Sequence, residues 1–384
     1  MTAIVTDAHY RMSVSLIRDL GARGVRVVAC EKEGFASPVG FASRFVSRCV
    51  RLPEEETLDA LFALCREIFE QEGEKPALLP VGAKTLAALA ESKERFSAVC
   101  GLCAASPEKL TLLNDKAAVA TLAGKLGVPV PANFEPQPGE DLAAFFSRVP
   151  LPCAVKPHCG EAFGLPAAAR YRIARTKKEL QDAYKHFLSL TQQAPIVQEY
   201  LPGAAYGCSV LAAEGHITRA ICHRRVREYP VTGGPSSCCE CVDFPALRSY
   251  AETIIRAAGF TGPAMLEFKC GADGAPRLLE INPRVWGTFP LTRASGSDFS
   301  HAWYCLAGGL PLPAEEKARP VKMAYYPADF AAALGYLRAG KPGAFFAALR
   351  DFFDPRVKSG LFCAKDPKPS FVYVQNLFHR RRHS

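Results

Sequence analysis

No apolar run in this 384-residue chain approaches the length of about 18 residues that a transmembrane helix needs, so a spanning segment of that kind is not expected. The opening MTAIVTDAHYRMS lacks the basic start and long apolar stretch of a secretory leader and reads instead as the first strand of a fold. No Gly-x-Gly-x-x-Gly follows that strand, which argues against a dinucleotide site there. There is no internal repeat. Concentrated basic charge is also missing: the formal net charge of +9 is scattered, apart from the tail His379-Arg380-Arg381-Arg382-His383, which reads as a solvated terminus. That pattern speaks against nucleic acid as a partner and suits a basic cleft for a small anionic molecule. Fifteen cysteines are present, but the chain is too long to need disulfide staples. Cys100-Gly-Leu-Cys103 and Cys238-Cys239-Glu240-Cys241 lack a nearby second Cys-x-x-Cys or His pair at zinc spacing. Cys30, Cys65, Cys153, Cys270 and Cys305 sit in apolar runs, where a thiol behaves as a small hydrophobe; reduced thiols and a cytoplasmic location are expected.

What is present is an ordinary globular composition, 49% hydrophobic and 22% charged, long enough for two or three domains. Over the first hundred residues, apolar runs at Ala3–Thr6, Val25–Cys30 and Ala77–Val81 alternate with helical patterns at Met12–Leu20, Leu58–Gln71 and Thr85–Ala98. Uninterrupted apolar strands between helices predict a parallel sheet covered on both faces. A second unit starts near Ser106. Its helices are expected at Lys116–Leu126, Leu142–Val149, Lys177–Leu190, Ala246–Ala258 and Asp298–Ala307. Strands are expected at Cys153–Lys156, Tyr171–Ala174, Ile196–Tyr200, Gly207–Ala213 and Ile217–Cys222. Beyond Leu312 there are helical stretches at Asp329–Arg338 and Ala344–Phe353, after which regularity fades.

The most informative stretch is AMLEFKCGADGAPRLLEINPRVWG, Ala264 to Gly287. It reads as two short apolar strands, Ala264–Cys270 and Pro276–Ile281, joined by a Gly-Ala-Asp-Gly turn. Each carries one carboxylate, Glu267 and Glu280, and an ionised carboxylate in apolar surroundings needs a partner or a cation. If the hairpin closes at its turn, the two acids lie near each other. Asn282 and Arg284 follow on the face of Glu280, because side chains alternate along a strand. Hard oxygen donors of this kind suit Mg²⁺, and a guanidinium beside them can hold a phosphate. The alternative is a plain hairpin whose acids pair with Lys269 and Arg277.

Other segments belong with it. Asn114-Asp115-Lys116 opens a helix. Lys156 ends the strand CAVK ahead of a loop bearing Gly160 and Gly164, and such a lysine can reach phosphate oxygens. Gln198-Glu199-Tyr200-Leu201-Pro202-Gly203 ends a strand whose edge groups suit an adenine. His223-Arg224-Arg225-Val226-Arg227-Glu228-Tyr229-Pro230 runs into Gly233-Gly234. There the arginines beside a diglycine turn either bind a carboxylate or phosphate or simply form a basic surface strand.

In order, NDK, VKP with its loop, QEYLPG and E…EINPR resemble the ATP-grasp superfamily, over about residues 106–310. The His223–Ser236 stretch resembles one in carboxylate–amine ligase-like members with a single grasp module. The loop CGEAFGLPAAA is poorer in glycine than most grasp loops, and no acidic ribose ligand follows the hinge. The resemblance implies α/β plus α+β architecture. An N-terminal parallel α/β pre-ATP-grasp domain (1–105) would precede a two-lobed ATP-grasp domain (106–311; lid lobe about 118–200, metal-binding lobe about 201–311) and a C-terminal extension (312–384). ATP would contact Lys116, Lys156, Gly160 and Gln198, with Glu199, Tyr200 and Leu201 as the adenine hinge. Mg²⁺, or Mn²⁺, would sit on Glu267, Glu280 and Asn282. Arg284 and Arg225 would be the catalytic residues. The implied activity is ligation of a small-molecule carboxylate to an amine through an acyl phosphate. Bicarbonate phosphorylation like that of carbamoyl-phosphate synthase, or a non-catalytic ATP-binding module, are the alternatives. No nucleic acid or membrane partner is expected, and a homodimer is left open.

Overall fold

The computed structural model describes residues 1–159, 163, 165, 169–231 and 233–382. Its first sheet contains β1 (Ala3–Val5), β2 (Val27–Lys32), β3 (Arg48–Leu52), β4 (Ala77–Leu79) and β5 (Gly101–Leu102), all parallel, in the order β3-β2-β1-β4-β5. β1 and β4 are buried throughout and β2 nearly so, as strands covered by helices on both faces must be. β3 was not expected: RCVRL is an edge strand with exposed arginines and carries no apolar run. The helix expected over Thr85–Ala98 is two, Ala83–Glu91 and Lys93–Ser97, divided at Ser92. At the switch between β1 and β4, Asp7 takes a left-handed φ of 55° and its carboxylate accepts from the Gly82 amide and the Thr85 hydroxyl, both at 2.8 Å. This crevice is thus filled by the chain's own groups. The chain leaves it as the helix Arg11–Ala22.

A small antiparallel sheet follows, with β6 (Asn133–Phe134), β7 (Cys153–Lys156), β8 (Arg172–Ala174) and β9 (Ile196–Glu199) in the order β6-β9-β7-β8. It is backed by the helices Leu142–Arg148 and Lys177–Thr191, the second held by a capping box between Thr176 and Glu179.

The third sheet has seven strands: β10 (Ala205–Ala213), β11 (His216–Glu228), β12 (Ser236–Cys241), β13 (Gly262–Cys270), β14 (Pro276–Asn282), β15 (Lys322–Ala324) and β16 (Lys358–Ser359). Their order is β14-β13-β10-β11-β12-β15-β16, antiparallel except for the last pair. One face buries Cys208, Val210, Leu266 and Phe268 against Leu247, Ile254 and Ile255 of the helix Pro245–Ala258. The opposite face, carrying Met265, Glu267 and Lys269, lines a cleft. The chain then crosses back so that Trp286, Phe289, Phe299 and Trp303 share a core with Leu16, Ile17 and Leu20 of the first helix.

One segment left without an element is now placed, and one reading of the C-terminal part changes. The Cys238–Cys241 cluster is the interior strand β12, with Cys238 and Cys239 buried, and all fifteen cysteines are unpaired. Regularity does not end at Phe353: Lys368–Arg382 is helical, so the basic residues 379–382 belong to its end. Asp366, just before this helix, is buried and accepts from Arg18 (2.9 Å), Ser43 (2.8 Å) and the Arg44 amide (2.9 Å), tying the C-terminal segment to the N-terminal unit. Among the described residues, no helix is long and apolar enough to cross a membrane.

Candidate functional site

The β13–β14 hairpin closes through Gly271–Ala275, with Gly274 at φ +74°, a conformation that favours glycine. Lys269 pairs in register with Arg277 and Phe268 with Leu278, but Glu267 then pairs with Glu280. Leu279 is the extra residue of a β-bulge. The bulge is decisive for the site. Without it, Glu267 would face Leu279, and Glu280 would turn toward the core with Leu278. With it, Leu278 and Ile281 stay in the core while Leu279, Glu280 and Asn282 line the cleft. The alternative partners for the two acids are otherwise engaged: Arg277 pairs with Asp273 in the turn (2.9 Å), and the Lys269 ammonium lies 5.1 Å from the Tyr200 ring centroid.

Lys116 is delivered by its cap. Asp115 accepts from the amides of Ala117 and Ala118, both at 2.8 Å, and so starts the helix Lys116–Lys125 with Lys116 at its first turn. The Lys116 ammonium lies 3.0 Å from Glu280. Lys156, 8% exposed at the end of β7, donates to the Gln198 side chain at 2.8 Å, and Gln198 in turn donates to Asn133. On the other side of the hairpin, Arg225 of β11 pairs with Glu267. The Asn282 amide donates to the second Glu267 oxygen at 3.2 Å and accepts from Arg284 at 3.1 Å.

These contacts set the charges. Burial pushes Glu267 upward, and Glu280 opposite adds to that push against the pull of Arg225. Burial acts on Glu280 in the same direction, but Lys116 and Lys156 outweigh it and hold its carboxyl down at about 2. Burial lowers Lys116, yet the Glu280 charge prevails and its net shift is upward. Lys156 has no carboxylate of its own: burial first, and then the like charge of Lys116, bring it down to about 8. His223 is buried with its ring 3.2 Å from the Thr288 hydroxyl; burial and the neighbouring Arg225 push it down to about 3, so it is neutral.

The hinge differs in detail from the expectation. β9 is interior to its sheet, and the Glu199 amide already donates to Ala132 at 2.8 Å, while its carboxylate accepts from the Ala132 amide at 3.2 Å. Tyr200 and Leu201, past the strand end, line the cleft beyond the last ladder pair of β9. Every sequence-selected site residue that is described lines one cleft of about 440 Å³. Gly160 and Gly164 lie outside the described residues, as does Thr232. Sequence reasoning missed Leu279, His223 and Thr288 in this cleft, and also Arg11. Only tertiary contacts bring them there; the one local signal was the polar alternation of β11, read too short at Ile217–Cys222.

The donor set fits a hard divalent cation: two register-paired carboxylates and an amide oxygen on one hairpin. Among the described residues no group of three or more His, Cys, Asp or Glu side chains is placed to hold a metal.

Residues 191–326 match the family described as ATP-grasp in the biosynthetic pathway with Ter operon. No curated protein matches the chain. Among solved structures, it is similar to biotin carboxylase from Campylobacter jejuni (16% identity, TM-score 0.63, covering 83% of this chain and 73% of that one). It is also similar to L-amino acid ligase from Bacillus licheniformis (16%, TM-score 0.57, 80% and 74%). An ADP complex of N5-carboxyaminoimidazole ribonucleotide synthetase matches too, at 13% identity and TM-score 0.64, covering 88% and 84%.

Proposed function

This chain has the ATP-grasp fold, and from that premise we propose that it uses ATP to activate a carboxylate as an acyl phosphate, which an amine then attacks, releasing ADP and phosphate. The observation that carries this reading is the opposition of Glu267 and Glu280 in a cleft walled by Lys116, Lys156, Arg225 and Arg284. A substrate carboxylate oxygen attacks the γ-phosphorus, and the bond to the β-phosphate oxygen breaks with its electron pair leaving on ADP. The amine nitrogen next attacks the acyl carbon; the acyl C–O bond breaks, phosphate departs, and the amine loses a proton.

Catalysis of this kind is positioning and charge neutralisation. Lys116 and Lys156 hold phosphate oxygens, and Tyr200 and Leu201 offer backbone groups to the base. Arg225 pulls against the upward push of burial on Glu267 and holds that carboxylate in place. Arg284, held against Asn282, would neutralise the charge that builds between donor and acceptor. Glu267, Glu280 and Asn282 would hold Mg²⁺, which when bound supplies further positive charge to the phosphates.

The test is a screen of acids with ATP, Mg²⁺ and hydroxylamine, which traps an acyl phosphate as a hydroxamate. ADP formation that requires both acid and nucleophile supports the reading, and ATP hydrolysis indifferent to both contradicts it. Bicarbonate belongs in the screen because several structural neighbours are biotin carboxylases; ADP formed with bicarbonate alone would select phosphorylation of bicarbonate instead.

A further inference from the structure

Arg11 lines the same cleft, yet the acyl-phosphate chemistry has no use for it. It is the first residue of the helix Arg11–Ala22 and so reaches the cleft from the N-terminal unit. Its guanidinium carbon lies 3.9 Å from the centroid of the Tyr325 ring. Tyr325 is buried, and its hydroxyl donates to the Gly287 carbonyl at 3.1 Å. On the Gly287 side, a Cβ placed there would stand 3.5 Å from the Arg11 guanidinium, in van der Waals contact. The planar group is therefore seated between an aromatic face and a backbone segment, which fixes its orientation before any ligand arrives.

The other cations of the cleft are held in different ways: Lys116 by Glu280, Lys156 by Gln198, Arg225 by Glu267, Arg284 by Asn282, Arg170 by the Leu165 carbonyl, and Lys269 over the Tyr200 ring. Among the described residues, no carboxylate pairs with Arg11. Its place is also distinct. Tyr325 follows β15, which lies four strand positions from the strand of Glu267. The β11 arginine that meets Glu267 lies between them. A carboxylate at the phosphate end does not need Arg11, whereas a second anionic group on the substrates would meet a pre-oriented fork there.

We propose that Arg11 receives a carboxylate that is not phosphorylated, carried either by the acid or by the attacking amine. The proposal rests on the ligase reading and makes the substrate class narrower: a dicarboxylate, or an amino acid as the amine.

The test compares wild type with Arg11→Met and Arg11→Lys, using ATP affinity to establish that each variant is folded. Acids are assayed with hydroxylamine in matched pairs, butyrate against succinate and valerate against glutarate. The best acid is then given amines in pairs, methylamine against glycine and ethylamine against alanine. Wild type should prefer the member with the extra carboxylate in one of the two arms, and that arm names the carrier. Arg11→Met should raise KM for that member at least about tenfold, with a smaller fall in kcat, and erase the preference; Arg11→Lys should restore only part of it. A preference that survives Arg11→Met, or an equal loss for both members of each pair, overturns the proposal. If no acid yields hydroxamate, the ligase reading fails instead, and glutarate and glycine are titrated calorimetrically into the ATP-bound protein. Binding in wild type that is lost in Arg11→Met supports the subsite; equal or absent heats in both overturn it.

Discussion

Replacing Glu280 by Gln changes one oxygen to nitrogen and removes one charge, so shape and function can be separated. Glu280 has its counter-charge in Lys116 at 3.0 Å, and its side chain retains 30% exposure. A partly exposed pair contributes about 1 kcal/mol or less, and Gln still accepts from Lys116. The strand, its bulge and the core contacts of Leu278 and Ile281 are untouched. The melting temperature should therefore move by no more than about 2–4 °C. Activity has much more at stake. Glu280 is held ionised far below the ordinary carboxylate range by two lysines, and it is the strongest anionic donor the hairpin offers a cation. Losing it should lower turnover by about 10²–10³, the scale for removing one preorganised electrostatic group. The Mg²⁺ concentration giving half-maximal hydroxamate formation should also rise at least about tenfold. Both effects are read from one Mg²⁺ titration of the wild type and Glu280→Gln, with thermal melts alongside. Turnover and Mg²⁺ dependence like those of wild type would refute the assignment of this hairpin as the metal site.

Arg284→Ala should leave ATP affinity within a few-fold while lowering turnover by about 10² or more, and Arg284→Lys should rescue little because a point charge does not replace a fork; calorimetry beside ADP production checks it, and parallel losses would make Arg284 a ground-state binding residue. Lys156 sits near 8 in the free protein, so ATP affinity should weaken as pH rises through about 8, where the ammonium deprotonates. Lys156→Arg should remove that inflection in a calorimetric pH series; an inflection that persists would assign it elsewhere. Cys159 accepts a hydrogen bond from Asn114 at 3.2 Å, two residues from Lys116. Alkylating it should slow turnover, with ATP protecting it, and labelling at equal rates with and without ATP would place it away from the nucleotide.

The parts of the site that were readable from the chain are those whose chemistry is local. Glu267, Glu280, Asn282 and Arg284 sit within one hairpin whose turn and alternation are sequence properties. Asp115-Lys116 is a helix cap, and Lys156 and Tyr200 mark strand ends. What escaped was set by tertiary structure. Arg225 was selected as a site residue, but its partner was not: it meets Glu267 across 42 positions of chain, while the adjacent Arg224 pairs with Glu240. The bulge at Leu279 follows from how Leu278 and Ile281 must both reach the core, a demand visible only when the sheet is packed. Arg11 belongs to another unit altogether and enters the cleft because the first helix shares its core with Trp286 and Phe289. β3 and β12 were missed for a related reason. One is an arginine-bearing edge and the other a run of serine and cysteine, and neither shows the apolar pattern by which strands are recognised.

The central claim is that a substrate carboxylate takes the γ-phosphoryl group, and its most direct test follows oxygen. With an acid that supports turnover, enriched in ¹⁸O at its carboxylate, the released phosphate is examined by ³¹P NMR or mass spectrometry. Transfer through an acyl phosphate predicts one ¹⁸O in each phosphate formed, with ADP unlabelled. Unlabelled phosphate during full coupled turnover would contradict the account.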